Sequence, residues 1–347
     1  MKKRAGEVKG ETMSLSDITA SFQPVTTKNA SLFNDYYKIF FKSHKYPRFY
    51  QSVLEISQYV NVPLYFSGII DECLVIVHKR HIHLPVFYLP IPPISKNSDH
   101  TKEGNIIELF QKYGCHTRLS EEEMKVLGIS ETDVNKNKYN SEFIYSANEL
   151  KTMPGKKWQN IRYKVNKFHS LIKDEKLETK LLQTMDFLTH EKCKRIYEIW
   201  LKQKEKKSIH SAHKVLLNCP KSMRNLISLI YNKETNALIA WGASECISDG
   251  KIIQTTRFRN YDDNTLVDPT TIIHYLECIY WADIFGEETL CNFGSGVFPD
   301  LIEHKYRLKP IATLQMYDLK TEKGIQKSDW DDTCISWKKR KGFNLGY

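Results

Sequence analysis

Hydrophobic positions along this chain change period from segment to segment, and the changes outline its elements. Residues 1–13 are polar, and a strand-like stretch opens between Ser14 and Gln23. From Ser31 onward Leu32, Tyr36, Ile39 and Phe40 fall at helical spacing, and a second helix is expected from Pro47 to Tyr59. Leu64–Ser67, Cys73–His78 and His81–Leu89 are rich in β-branched and aromatic residues, the pattern of strands, with turns expected at Ile70–Glu72 and Lys79–Arg80. Pro90, Pro92 and Pro93 end that sheet, because proline cannot donate to a ladder. A helix over Glu103–Tyr113 closes on Gly114, a strand covers His116–Leu119, and Ser120 with Glu123 forms a capping box for a short helix. Residues 131–141 are polar and read as a loop, and Phe143–Tyr145 reads as a strand.

The middle of the chain carries the sharpest pattern. Pro154-Gly155 is turn chemistry. After it Trp158, Ile161, Val165, Phe168 and Leu171 or Ile172 form one apolar stripe at 3.6-residue spacing. Lys156, Lys157, Arg162, Lys164, Lys167 and Lys173 are the cations of the same segment. The expectation is a basic amphipathic helix over 154–173 that bridges two halves and packs its stripe at their junction. Its cationic face is either solvated or a rim for a polyanion.

The second half repeats the theme. Leu177–Leu182 reads as a strand, and Thr189 as the N-cap of a helix through Cys193, Ile196, Tyr197 and Trp200. Lys202–Lys207 is a charge run, and Pro220–Leu229 reads as helical although Leu226–Tyr231 also fits a strand. Strands follow at Ala237–Ser244 and Ile252–Phe258, a helix at Asp268–Phe285, a strand at Leu290–Phe293, a short helix at Asp300–Lys305 and a strand at Ala312–Tyr317. Each half therefore offers helices, an antiparallel meander, a helix and further strands. That order predicts an α/β protein with mixed sheets, not a doubly wound parallel sheet. The expected organisation is a flexible N-terminus at 1–13, a domain at 14–153, the bridge at 154–173, a second domain at 174–320 and a tail at 321–347.

Composition changes this picture in few places. The 347 residues suit about two domains. A formal charge of +10 favours an anionic partner such as nucleic acid, anionic lipid or a phosphate-bearing cofactor. Eight cysteines without CxxC pairing read as reduced, mostly buried thiols. No apolar h-region follows the basic start, and no run approaches the ~18 apolar residues of a membrane span, so a cytoplasmic protein is the expectation.

With the elements in place, several motifs taken together resemble a family. Phe143-Ile-Tyr145, Glu149-Leu150, Gly155-Lys156-Lys157, Asn166 and Phe168 resemble the central motif of the DUF2156 proteins. Those proteins are similar to the soluble C-terminal domain of bacterial phosphatidylglycerol lysyltransferases. A second match is Leu290-Cys-Asn-Phe-Gly294 followed by Leu301–Lys305, Leu308, Pro310 and Tyr317, and a third is Tyr88-Leu-Pro-Ile-Pro92. Together they cover roughly residues 20–320. The resemblance implies two GNAT-like (acetyltransferase-like) domains in tandem. It also implies transfer of an aminoacyl group from aminoacyl-tRNA onto an amine or hydroxyl, while other GNAT-like proteins use acyl-CoA. The chain shows neither a membrane span nor an Arg/Gln-x-x-Gly-x-Gly/Ala pyrophosphate loop, which weighs against lipid as acceptor and ordinary CoA as donor.

Candidate chemistry gathers in the second half. Asp268 suits an N-cap and Pro269 the first helical position, and the free N–H groups of such a helix, with Thr270 and Thr271, favour an anion. Arg257 lies just upstream, Gly294-Ser295-Gly296 permits close backbone approach, and Asn292 precedes it. Lys305 and Arg307, by resemblance, pair with a carboxylate or phosphate in the second domain's cleft. Glu245 is a candidate base and His274 a candidate base or donor contact. Each of these residues also fits a purely structural role. No metal is expected: His78, His81, His83 and Cys73 lack zinc spacing, and His210 with His213 lacks a third ligand. The functional expectation is an acyl- or aminoacyltransferase using aminoacyl-tRNA or acyl-CoA, with tRNA or another nucleic acid as partner. A non-catalytic nucleic-acid- or protein-binding module and a CoA-dependent N-acetyltransferase of a small amine stand as alternatives.

Overall fold

The computed structural model describes residues 18–58, 65–81, 84–203, 212–220, 223–260, 263–296 and 299–321. Two stretches of chain build the same pattern in turn. In the first, β1 (Gln23–Pro24) precedes helix α1 (Ala30–Ser43) and the short α2 (Val53–Ile56). A meander follows: β2 (Tyr65–Ile70), β3 (Cys73–His81), β4 (Leu84–Leu89) and the two-residue β5 (Ile94–Ser95). Helix α3 (His100–Lys112) then crosses over to β6 (His116–Ser120), which lies parallel to β4. Helix α4 (Glu121–Leu127), the long β7 (Val134–Ser146), α5 (Ala147–Thr152) and α6 (Gln159–Lys173) lead onward.

In the second stretch β8 (Leu177–Leu182) precedes helices α7 (Phe187–Gln203) and α8 (Ala212–Leu217). The meander is β9 (Asn225–Asn232), β10 (Leu238–Ser248) and β11 (Lys251–Arg259). Helix α9 (Pro269–Phe285) crosses over to β12 (Leu290–Gly296), which lies parallel to β11, and α10 (Pro299–Arg307) and β13 (Ala312–Leu319) follow. One mixed sheet joins all these strands in the order β1-β2-β3-β4-β6-β13-β7-β12-β11-β10-β9-β8, with β5 on β3. The last strand, β13, inserts between β6 and β7, so the two stretches share one continuous sheet.

Several sequence expectations shift. Residues 18–19 are helical, so the strand expected from Ser14 to Gln23 is not formed there. The helix expected over 47–59 is broken into a 3-10 turn at Phe49–Gln51 and the single turn of α2, because Ser52 is extended and caps α2 by accepting from Glu55 N. The turn expected at Lys79–Arg80 is strand, since β3 runs through it. Residues 134–141, expected as loop, belong to β7, whose polar backbone is satisfied by pairing with β13. Helix α7 opens at Phe187, ahead of Thr189, because the carboxylate of Asp186 accepts from Thr189 N at 2.7 Å. The Leu226–Tyr231 ambiguity resolves as strand.

The apolar stripe of the basic helix packs against residues of both halves. Trp158, Ile161, Val165 and Phe168 share a core with Phe143, Tyr145, Leu150 and Met153 of the first stretch and with Leu226, Ile230, Ile272 and Trp281 of the second. A second core also joins the two stretches. There Phe33, Tyr37, Phe40, Leu54 and Ile76 meet Cys193, Ile227, Trp241 and Ile253.

Candidate active site

Strands β11 and β12 pair over only three positions, from Lys251–Leu290 to Ile253–Asn292. Beyond that point β11 stays bonded to β10, out to Arg259 opposite Ala240, while β12 stays bonded to β7, out to Gly296 opposite Ser141. The two strands therefore part, and a cleft opens between them under α9. A register shift in β11 between Gln254 and Thr256 helps turn Arg257 onto the α9 side, opposite Gly242.

Polar side chains fill this cleft. The Nη2 of Arg257 donates to the carbonyl of Phe293 at 3.3 Å, and the Nζ of Lys305 donates to the same oxygen. His274, on the second turn of α9, contacts the carboxamide oxygen of Gln254 through Nδ1 and stacks on the ring of Phe293 with centroids 4.1 Å apart. Tyr145 stacks on the same ring at 3.9 Å, and its hydroxyl donates to the carbonyl of Lys305 at 2.8 Å. One turn beyond His274, Glu277 is fully buried, with the hydroxyls of Ser228 and Ser244 at its carboxyl. A side chain at Gly242 would press on Ile273 and approach the Glu277 carboxyl to about 3.0 Å, so this glycine gives Glu277 its room.

Burial sets the charges here. It holds the amine of Lys305 well below the ordinary lysine range, and the nearby guanidinium of Arg257 adds to the effect. His274 is held well below the usual imidazole value, by burial first and then by Arg257 and Lys305. Burial pushes Glu277 up to about 8, although Arg257 opposes the shift. It pushes Glu55 up to about 8 as well, where the carboxamide of Gln58 donates at 2.6 Å. At neutral pH the cleft therefore holds a cationic guanidinium, an amine biased toward its free-base form, a neutral imidazole and protonated carboxyls. A fixed donor beside a proton acceptor, in a site shielded from water, suits chemistry that develops negative charge on a carbonyl oxygen.

Of the residues singled out in the sequence, the structure brings Arg257, His274 and Lys305 together. Asn292 sits one residue from the Phe293 carbonyl, but its side chain turns away and donates to Pro47 O at 2.8 Å and Glu142 at 2.7 Å. Gly294 has φ +83° and abuts the ring of Phe49, so a side chain there would collide with that ring. Glu245 lies on the opposite face of the sheet, where its carboxylate accepts from Ser52 Oγ at 2.6 Å and Leu54 N at 2.8 Å. Burial raises its pKa to about 7 against those hydrogen bonds. Asp268 caps α9 as expected: it accepts from Thr271 N and Oγ1 and pairs with Lys164 at 2.6 Å. Thr270 is half-buried beside it. Arg307 is exposed and pairs with Glu303 one turn back. Lys157 pairs with Glu149, Arg162 donates to the carbonyls of Met153 and Gly155, and Lys156 and Lys167 are exposed.

Sequence reasoning missed Glu277, Gln254, Glu55 and Arg48. Only Glu277 carried a local signal, as a carboxylate flanked by Leu276 and Cys278 in the largely apolar α9. His81, His83 and His210 lie where no side chain is described, and among the described residues no group of three His, Cys, Asp or Glu side chains could hold a metal. Among the described residues, too, no helix is long and apolar enough to cross a membrane.

The family model described as phosphatidylglycerol lysyltransferase, C-terminal, matches residues 61–258. The chain belongs to that family. The matched span ends at Phe258, so α9, β12 and α10 lie beyond it. No curated protein matches this sequence. Solved structures of similar fold include a conserved protein of unknown function from Bacteroides thetaiotaomicron. It is 15% identical, with a TM-score of 0.68, over 86% of this chain and 98% of that one. The L-PGS of Bacillus licheniformis is 13% identical with a TM-score of 0.59, over 81% and 90% of the two chains. The C-terminal (DUF2156) domain of a putative lysylphosphatidylglycerol synthetase from Agrobacterium fabrum is 9% identical with a TM-score of 0.60, over 88% and 96%. At these identities they establish the mixed α/β fold alone.

Proposed function

We propose that this protein is an aminoacyltransferase built from two GNAT-like units in tandem, residues 14–153 and 174–320, with its reaction centre in the β11–β12 cleft. The observation that carries the reading is the convergence of Arg257 and Lys305 on the Phe293 carbonyl, with His274 stacked on the Phe293 ring, where the sheet opens. The repeat of meander, crossover helix and parallel strand supports the tandem division. The acceptor's amine or hydroxyl gives its proton to the free amine of Lys305 and attacks the carbonyl carbon of the donor ester. Arg257 donates to the oxyanion that forms. The carbon–oxygen bond to the donor then breaks, and the leaving oxygen recovers the proton from Lys305.

Aminoacyl-tRNA is favoured over acyl-CoA as donor for a structural reason. The N-terminus of α9 is already capped by Asp268, itself paired with Lys164, so a pyrophosphate there must displace a carboxylate. The family name makes a lysyl donor and phosphatidylglycerol the first pair to test, with small amines as further acceptors. The test incubates purified protein with radiolabelled lysyl-tRNA or acetyl-CoA and each acceptor, and follows the label by chromatography. Transfer that disappears in Arg257→Gln and Lys305→Met, with folding intact, supports the reading. Absence of transfer from either donor by folded protein across the acceptor panel would count against it.

A further inference from the structure

A depression of about 380 Å³ lies on the surface beside α10, lined by Lys157, Tyr306, Lys309, Pro310, Ile311 and Thr313 among others. This volume falls within the usual range of small-ligand sites, about 300–1,000 Å³. Its aromatic member is held but not covered. Phe143 meets the ring of Tyr306 edge-on, with centroids 5.2 Å apart and planes at 88°, and Tyr306 remains 52% exposed. A half-exposed aromatic ring anchored by one buried neighbour offers surface on which a base can stack.

The charged residues that line it are cationic. They are Lys157 and Lys309, the latter in the left-handed region at φ +58°. Lys156 is exposed next to Lys157. Lys157 is paired with Glu149, but both partners are substantially exposed, and such a pair is readily exchanged for a phosphate. The position of the depression links it to the cleft. Lys305 sends its amine inward to the Phe293 carbonyl while Tyr306, its neighbour on α10, faces out. Helix α10 thus carries both the amine of the cleft and the ring of the depression.

We infer that this depression binds a nucleotide, its base stacked on Tyr306 and its phosphates between Lys157 and Lys309. The inference rests on the proposed transferase reading and adds the place where the donor's nucleotide is held. One ligand chemistry has two sources here: the single-stranded end of a donor RNA, or the adenine nucleotide of CoA.

Fluorescence anisotropy with a labelled short single-stranded RNA, and competition by CoA in a separate arm, tests the site. Tyr306→Ala should weaken binding about tenfold, the lower part of the range for loss of one stacked base. Tyr306→Trp should bind as wild type. Lys309→Met should weaken binding and shallow its dependence on salt by up to about 0.7 in log–log slope, one single-strand phosphate contact. Tyr306-dependent binding in the RNA arm assigns the site to donor RNA, and in the CoA arm to CoA. No binding in either arm, or binding indifferent to Tyr306→Ala, overturns the inference. The two readings fail separately. Tyr306-dependent binding without transfer sinks the transferase reading alone, and wild-type transfer unchanged in Tyr306→Ala sinks the nucleotide site alone.

Discussion

Two buried polar clusters meet on β12, and they are built in opposite ways. Around Arg48, on the N-terminal side, the guanidinium is matched by two carboxylates, although Oε1 of Glu123 has no hydrogen-bond partner. The guanidinium donates to Glu123, to Glu142 at 3.3 Å and to the carbonyl of Pro90 at 3.3 Å. Glu142 in turn accepts from Phe49 N at 2.8 Å and from Asn292. Burial works against the charge on Arg48, but the two carboxylates outweigh it and hold the pKa above the ordinary arginine value. Around Arg257 the reverse holds. The guanidinium meets a carbonyl, a carboxamide and an imidazole, its own pKa is lowered by burial, and the nearby carboxyl of Glu277 is pushed up to about 8 beside the hydroxyls of Ser228 and Ser244. A buried charge with matched partners fixes architecture. A buried cluster with unmatched groups is held in place by its surroundings, and its unused donors and acceptors are free for a substrate.

The comparison yields a graded set of expectations. The largest concerns catalysis: Arg257→Gln should lower transfer by about 10²–10³-fold, the usual loss for one oxyanion donor, with little change in thermal midpoint. Lys305→Met should remove a comparable factor of about 10²–10⁴. It should leave stability level or raised, because an apolar side chain replaces a buried amine. In wild type the rate should climb as pH rises through the depressed pKa of Lys305, and a rate falling over that range would contradict its role as proton acceptor.

For Arg48→Met the order reverses. Two carboxylates lose their buried cation, and chemical denaturation should show a loss of about 3–5 kcal/mol. Retention of full stability would break the contrast between the clusters. The pH dependence of stability separates them further. Glu277 has a raised folded pKa, so its contribution is full below the unfolded carboxyl value and is lost as pH rises through about 8. Glu277→Gln should therefore flatten the fall in unfolding free energy across that window. Arg307→Ala, which removes an exposed pair, should change stability by less than about 0.5 kcal/mol.

Local pattern carried much of the fold. The helix at 268–285, the strand at 290–293 and the meander of the second half stand where periodicity places them, because each buries one face along a short stretch of chain. The errors have physical causes. Polar residues 134–141 lie in a strand because pairing with β13, far away in sequence, satisfies their backbone. The 47–59 segment breaks because the carboxylate of Glu245 receives Ser52 and Leu54 N from across the sheet. The site divides in the same way. Lys305 and His274 were legible as chemistry-bearing residues on or beside good elements. Arg48 and Gln254 were not, since their roles arise from contacts with elements distant in sequence, and Glu55 was not, since its burial arises in the same way. Glu277, a carboxylate in the largely apolar α9, was the readable signal that went unused.

The claim at the centre is that the β11–β12 cleft performs the transfer. Single-turnover transfer from radiolabelled lysyl-tRNA, compared between wild type and Arg257→Gln at matched thermal stability, tests it most directly. The account predicts a single-turnover rate at least about a hundredfold lower in the variant. Equal rates in the two proteins would contradict it.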